Sequence, residues 1–204
     1  MEGVKAASPA FSGYDARRID VDTLGKLECH DITDPIENFI SESAAQNAMV
    51  LVQALHTSAG LLVNEWETGL RKDLVNAAER LVPSGIDYTH DDMSVRWENI
   101  CPEDAEWPNG HSHLQNAVLG TPTLMLPAVG GRLMLGRWQG VLLVEFDHPR
   151  PRTVMVHLFG MPGVASPLNA NGNGARAYTH ESSHTNGNGA LNGELGSAGG
   201  DGRP

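Results

Sequence analysis

Two histidines, His111 and His113, stand two residues apart in Pro108-Asn109-Gly110-His111-Ser112-His113-Leu114. In an extended segment such positions point to one side, so both imidazoles would face one small volume. Imidazole is the commonest protein metal ligand, and its unperturbed pKa lies near neutrality. That pattern points to metal ligation or proton transfer. Three more polar clusters interrupt otherwise apolar stretches: His56-Thr57-Ser58, Asn64-Glu65 and Tyr88-Thr89-His90. The expectation is a chain folded to bring these groups together.

The composition bounds what they could act on. A chain of 204 residues is long enough for one domain with a real core. A formal net charge of -11 argues against nucleic-acid backbones and anionic membrane surfaces. A small phosphorylated ligand stays open, because a local Arg or a metal overrides the global sign. The two cysteines, Cys29 and Cys101, have no paired spacing, which makes a reducing, cytoplasmic setting the expectation. The first residues lack the long apolar run of a secretory signal. No stretch approaches the ~20 apolar residues of a membrane span.

The positioning elements follow from periodicity. Arg17–Val21 and Leu27–His30 read as short strands around a Gly25-Lys26 turn. Thr33 or Asp34 caps a helix that runs through Ala44, with Pro35 at its first position and Ile36, Phe39 and Ile40 on one face. Met49–Leu55 is a buried strand that ends at His56. Gly60–Val63 is a second strand, ending at Asn64 and Glu65. Thr68–Leu81 reads as an amphipathic helix stopped by Pro83-Ser84-Gly85. The polar stretch from Ile86 to Asn109 is too long for a mere connector. A short helix is expected over His111–Leu119, ahead of Gly120. Thr123–Val129 and Arg132–Leu135 read as a hairpin about Gly130-Gly131. Trp138–Phe146 and Thr153–Phe159 read as a further antiparallel pair.

Residues 1–13 read as an irregular extension and 14–162 as the domain. Residues 163–204 read as a disordered tail, rich in Gly and Asn, in which Asn-Gly-Asn-Gly-Ala occurs at 171–175 and 186–190. His180 and His184 have helical ligand spacing in that tail, a weak metal signal given its composition.

Five blocks carry a resemblance: His56 to Glu65, Tyr88-Thr89-His90-Asp91, Asn109 to Leu114, Gly131 to Gln139, and Glu145 to Arg152. In that order, over about residues 15–160, they resemble the YjbQ family, the secondary thiamine-phosphate synthase family. The resemblance implies a compact α+β domain, largely antiparallel sheet with a few helices, assembled as a homotrimer. It implies weak thiamine-phosphate synthase activity, which joins hydroxymethylpyrimidine diphosphate to a thiazole phosphate and releases pyrophosphate. His56, Glu65, His90 and His113 would be the catalytic residues. Asn64, Asn109, Gln139 and Arg150 would hold substrate. His113, His111 and His90 would hold any divalent ion (zinc, magnesium or calcium).

The chain departs from the family pattern in three places. His148 stands where Asp-Gly-Pro-Arg has glycine, and Arg137 precedes Trp138-Gln139 in place of a small residue or Thr. His111 replaces an acidic residue. A non-catalytic trimeric module for a phosphorylated metabolite or a metal, or a metal-dependent hydrolase, would use the same residues. Simpler readings sit beside each site residue: an Asp147–Arg150 ion pair, Glu65 opening a helix, and His30, His148 and His157 as surface or structural groups. Apolar patches around Trp138 and Leu142 are the expected contacts between copies.

Overall fold

The protein, described here by a computed structural model, is defined over residues 11–100 and 108–160. The extension at 1–10, Cys101, and the tail with His180 and His184 lie outside the described residues.

Among the described residues, eight strands form two antiparallel sheets. Strands β1 (Tyr14–Asp22), β3 (Asn47–Ala54), β5 (Thr123–Val129), β6 (Arg132–Leu133) and β8 (Pro151–Gly160) make the larger, in the order β1-β8-β3-β5-β6. Strands β2 (Glu28–Asp31), β4 (Ala59–Glu65) and β7 (Gln139–Glu145) make the smaller, with β7 central. Trp138–Phe146 and Thr153–Phe159 are therefore not partners. β7 pairs with β2 and β4, whereas β8 pairs with β1 and β3. Period-2 patterning marks each as a strand but carries no information about which sheet it joins.

The main core fills the space between the sheets. Val50, Val52, Val154, Val156 and Leu158 from one side meet Leu61, Val141 and Leu143 from the other. Helix α1 (Thr33–Glu42) adds Ile36, Phe39 and Ile40 at helical spacing. Its start is corrected by the structure: Ile32 is the N-cap, and the Asp31 carboxylate accepts from the Thr33 amide at 2.9 Å. It ends at Glu42 with Ser43 as its C-cap, two residues short of the expected Ala44, which lies outside the helix at φ +56.

The other face of the small sheet carries a second core. Cys29, Val144 and Phe146 pack there with Leu62, Leu74 of α2 (Thr68–Leu81) and Leu119 of α3 (Gly110–Leu119). β7 is buried on both faces, which explains its continuous apolar run. Burial pushes the Cys29 thiol up to about 11, so it behaves as a packing group. Helix α2 is capped by Glu67, whose carboxylate accepts from the Leu70 amide at 2.7 Å. Glu65 is thus the last residue of β4 and does not open the helix.

Three of the connections that carry the chain between the sheets, 22–28, 54–59 and 145–151, lie at one end of them. Register puts them side by side. Ala54 lies opposite Val154, Asp22 opposite Pro151, and Ala59 opposite Glu145.

Candidate functional site

The three crossings place polar residues where both sheets end, and two buried carboxylates organise them. Glu145 follows Val141 and Leu143 at period 2, so it points between the sheets with no exposure. Arg152, inward on β8 by the same alternation, is 5% exposed and donates to both Glu145 oxygens. A charge so buried persists only when paired and further hydrogen-bonded. Thr23 Oγ1 donates to Glu145 Oε2 at 3.0 Å, and the Asp147 amide donates to Oε1 at 2.8 Å. Arg152 also donates to Ser58 Oγ at 3.2 Å.

Asp147 is the second buried carboxylate. Its Oδ2 accepts from Ser58 Oγ at 3.2 Å and Asn109 Nδ2 at 2.9 Å, and pairs with Arg150 Nη2 at 3.4 Å. Its Oδ1 accepts from the His148 amide and ring Nδ1, each at 2.8 Å. Burial works to raise the Asp147 pKa. The hydrogen bonds from Asn109 and His148, with the Arg150 charge, overcome it and hold the group at about 2. Asp147 is a fixed anion at neutral pH, an anchor and not a proton carrier.

The histidines divide into distinct roles. His113 is half-buried and hydrogen-bonds the Thr57 backbone; burial first, then neighbouring His90, lowers its pKa. The His90 ring lies edge-on to it at 4.6 Å between centroids. His56 is different: its Nε2 accepts the Thr153 amide at 2.7 Å, extending the β3–β8 ladder by one bond through a side chain. Burial and then the Arg152 charge lower its pKa. Its lone pair is spent on the backbone, so it fits a structural role better than proton transfer.

His111 does not share a volume with His113. The segment is helical from Gly110, and positions i and i+2 on a helix diverge by about 200°. His111 is buried beside the Tyr88 ring, with Ser112 Oγ 3.1 Å from its Nε2. Burial and then Lys26 lower its pKa. The α3 N-terminus is held by Asp91, whose Oδ1 accepts from the amides of Asn109 and Gly110 at 2.9 Å each. Asp91 lies in the 3-10 turn Thr89–Asp91, so the same contact brings His90 to His113.

Glu65, Asn64 and Gln139 lie elsewhere. Glu65 pairs with Gln139 and Asn64 with Gly140, at the end of β4 and β7 opposite Ala59 and Glu145. Six strand residues separate these ends by roughly 20 Å. Gln139 Oε1 accepts locally from the Gly136 amide at 2.8 Å. Within one chain Glu65 therefore does not join the histidines. Among the described residues no three His, Cys, Asp or Glu side chains converge as a metal site. Leu142 is fully buried, which removes it as a contact between copies, while Trp138 is 61% exposed beneath Arg137.

Reading residues by local motif under-weighted Glu145, Arg152, Ser58 and Thr23. The signal was available for the first two: each is a charge at an inward position of an apolar strand, which demands a partner.

Two antiparallel sheets, with a buried Glu145–Arg152 pair and a buried Asp147 that holds His148 and Arg150 where the chain crosses between them, define an α+β protein with a polar site at a sheet end. The chain belongs to the YjbQ family: the family model described as UPF0047 protein YjbQ-like matches residues 17–161. A UPF0047 protein of Archaeoglobus fulgidus is 36% identical over 134 residues, covering 66% of this chain and 93% of the relative. YugU of Bacillus subtilis is 28% identical over 145 residues, covering 71% and 98%. A hypothetical protein from Aeropyrum pernix has a similar structure, with a TM-score of 0.61 at 31% identity over 72% of this chain and 99% of that one. A YbjQ-like protein of unknown function from Sulfolobus solfataricus gives 0.60 at 26%, with the same coverage.

Proposed function

We propose that the chain is an enzyme that binds a phosphorylated small molecule at the Asp147–His113 site, with thiamine-phosphate formation as a secondary activity. The observation that carries this reading is the polar cluster at the sheet end: a half-buried His113, its pKa lowered first by burial, near the Asp147 anion that also holds the half-exposed Arg150. Arg150 keeps most of its donors for a phosphoryl group. An unprotonated His113 ring can accept a hydrogen bond or a proton from an amino group such as an aminopyrimidine presents. In the proposed reaction the thiazole nitrogen forms a bond to the pyrimidine methylene carbon as the carbon–oxygen bond to diphosphate breaks. Arg150 stabilises the charge that leaves with pyrophosphate.

A divalent ion fits this arrangement poorly. His113 and His90 supply two ligands, fewer than the three or four that zinc takes, and magnesium and calcium prefer oxygen. No step is routed through a metal.

The test is pyrophosphate release from the two substrates by wild type and His113→Ala. A loss of about 100-fold in kcat/KM is expected, the usual scale for a proton-transfer group. Unchanged turnover in the variant removes His113 from the reaction. Tight pyrophosphate binding by wild type without turnover selects the non-catalytic binding module, a reading favoured by the fixed charge of Asp147 and the spent lone pair of His56.

Assembly as a homotrimer belongs to the same proposal. Support comes from the outer face of the large sheet, where Tyr14, Met49, Met125 and Phe159 are 52%, 40%, 63% and 44% exposed. Register makes them one patch: Phe159 lies opposite both Tyr14 and Met49, and Leu51 opposite Met125.

A further inference from the structure

Asparagine is among the residues best suited to cap a helix with its side chain. Asn109 stands at the N-cap of α3, yet its side chain makes no capping bond to that helix. Asp91 satisfies the helix start from outside, its Oδ1 accepting from the Asn109 and Gly110 amides at 2.9 Å each. The Asn109 side chain instead reaches the 145–151 crossing, where its Nδ2 donates to Asp147 Oδ2 at 2.9 Å. A local capping bond is forgone for one that joins two elements.

The polar groups of Asn109 point in three directions. Its carbonyl accepts from the Ser112 amide at 2.9 Å and from the His113 amide at 3.3 Å. Its amide is bonded to Asp91, which follows His90 in the 3-10 turn. Its side chain holds Asp147, and the same Oδ2 pairs with Arg150 Nη2 at 3.4 Å. One residue therefore bonds to each element that carries His90, His113 or Arg150. The carboxylate end of the bridge is fixed: Ser58 Oγ donates to Oδ2 at 3.2 Å and the His148 amide to Oδ1 at 2.8 Å. A charge-assisted bond to so fixed an acceptor is short and directional, so it holds α3 in place against the turn.

We propose that Asn109 is a positioning residue, which bridges α3 to the Asp147 turn and so sets the distance between the His113 ring and the Arg150 guanidinium. This rests on the reading above that both groups meet one substrate. Asn109 is then not a ligand of that substrate but a brace behind the groups that touch it. With the phosphoryl end on Arg150 and the amino group at His113, the span between them selects substrates that carry the two groups at that separation. A span set before the substrate arrives aligns the reacting groups without reorganisation.

The experiment measures pyrophosphate release from the two substrates by the full chain as wild type, Asn109→Ser and Asn109→Asp, with a crystal structure of each. Serine caps a helix about as well as asparagine does, but it is too short to reach Asp147. Aspartate keeps the shape and replaces the donor with a carboxylate that repels Asp147. In both variants kcat is expected to fall roughly 10- to 100-fold, the scale of a misplacement of up to about 1 Å. KM is expected to stay within about twofold of wild type, the pattern of an interaction that counts only in the transition state. The crystal structures are expected to show a changed separation between the His113 ring and the Arg150 guanidinium. Asn109→Asp carries the test if Asn109→Ser fails to fold. An unchanged kcat overturns the bridge, and a KM that rises with it makes Asn109 a substrate ligand. An unchanged separation overturns the bridge at any turnover. Absence of pyrophosphate release by wild type overturns the functional reading instead, and the separation alone then decides the bridge.

Discussion

His56, His111 and His113 all hold pKa values below the ordinary histidine value, burial being the first cause in each. The folded state therefore binds fewer protons than the unfolded chain as pH falls through about 6.5. Stability present above that pH is lost below it. Melting temperature is expected to drop between pH 7.5 and 5.5, and a His111→Gln variant should show a shallower drop. Asp147 adds a second acid window. Its folded value of about 2 lies below the ordinary 3.8, so its contribution is present above 3.8 and is lost as pH falls towards 2. The difference corresponds to about 2 kcal/mol. A flat melting temperature from pH 7.5 to 5.5 would show that these histidines protonate without cost.

Helix α3 positions two site residues, Asn109 and His113, and its seat on β4 depends on glycine. A Cβ at Gly60 would clash with the Asn116 side-chain oxygen and meet the Gly120 Cα at 3.1 Å. Asn116 has little freedom to retreat, because its Nδ2 donates to the Thr57 carbonyl at 2.9 Å. Gly60→Ala is expected to cost about 1–3 kcal/mol in urea unfolding, the usual range for overpacking. Gly85→Ala, with nothing within 4 Å of the added carbon, should fall within about 0.5 kcal/mol of wild type. Equal effects at the two positions would show that the α3–β4 approach is not tight. The hairpin turn is a different use of the residue: Gly130 and Gly131 have φ of +63 and +78, the paired positive values of a two-residue turn.

At the scale of the whole molecule, the large sheet has one covered face and one open one. The inner face packs on the small sheet and α1; the outer presents Met49, Met125, Tyr14 and Phe159. Light scattering on the wild type is expected to give three chain masses. Met125→Lys, on the outer face and away from the core, should shift the protein towards single chains without lowering helix or strand content. Wild type running as a single chain would overturn the assembly.

Local patterning determined much of this protein by itself. Helix α2 spans Thr68–Leu81 as its periodicity indicates, and the β5–β6 turn falls at Gly130-Gly131. Strands β3, β4 and β7 lie within two residues of their apolar runs. The ordered motif blocks were sufficient for the family, and they contained His113, Asn109 and Arg150. Tertiary structure alone decided which strands share a sheet, and so which motif ends meet. Period 2 encodes which face a residue takes but not its neighbouring strand, so Glu65 seemed close to His56 while the strand between them holds their ends roughly 20 Å apart. Helical geometry likewise separated His111 from His113, although their spacing in sequence suits a shared site on a strand. The buried Glu145–Arg152 pair shows the same division. Sequence places both charges inward, but only the adjacent crossings bring them together, where each offsets the other's desolvation.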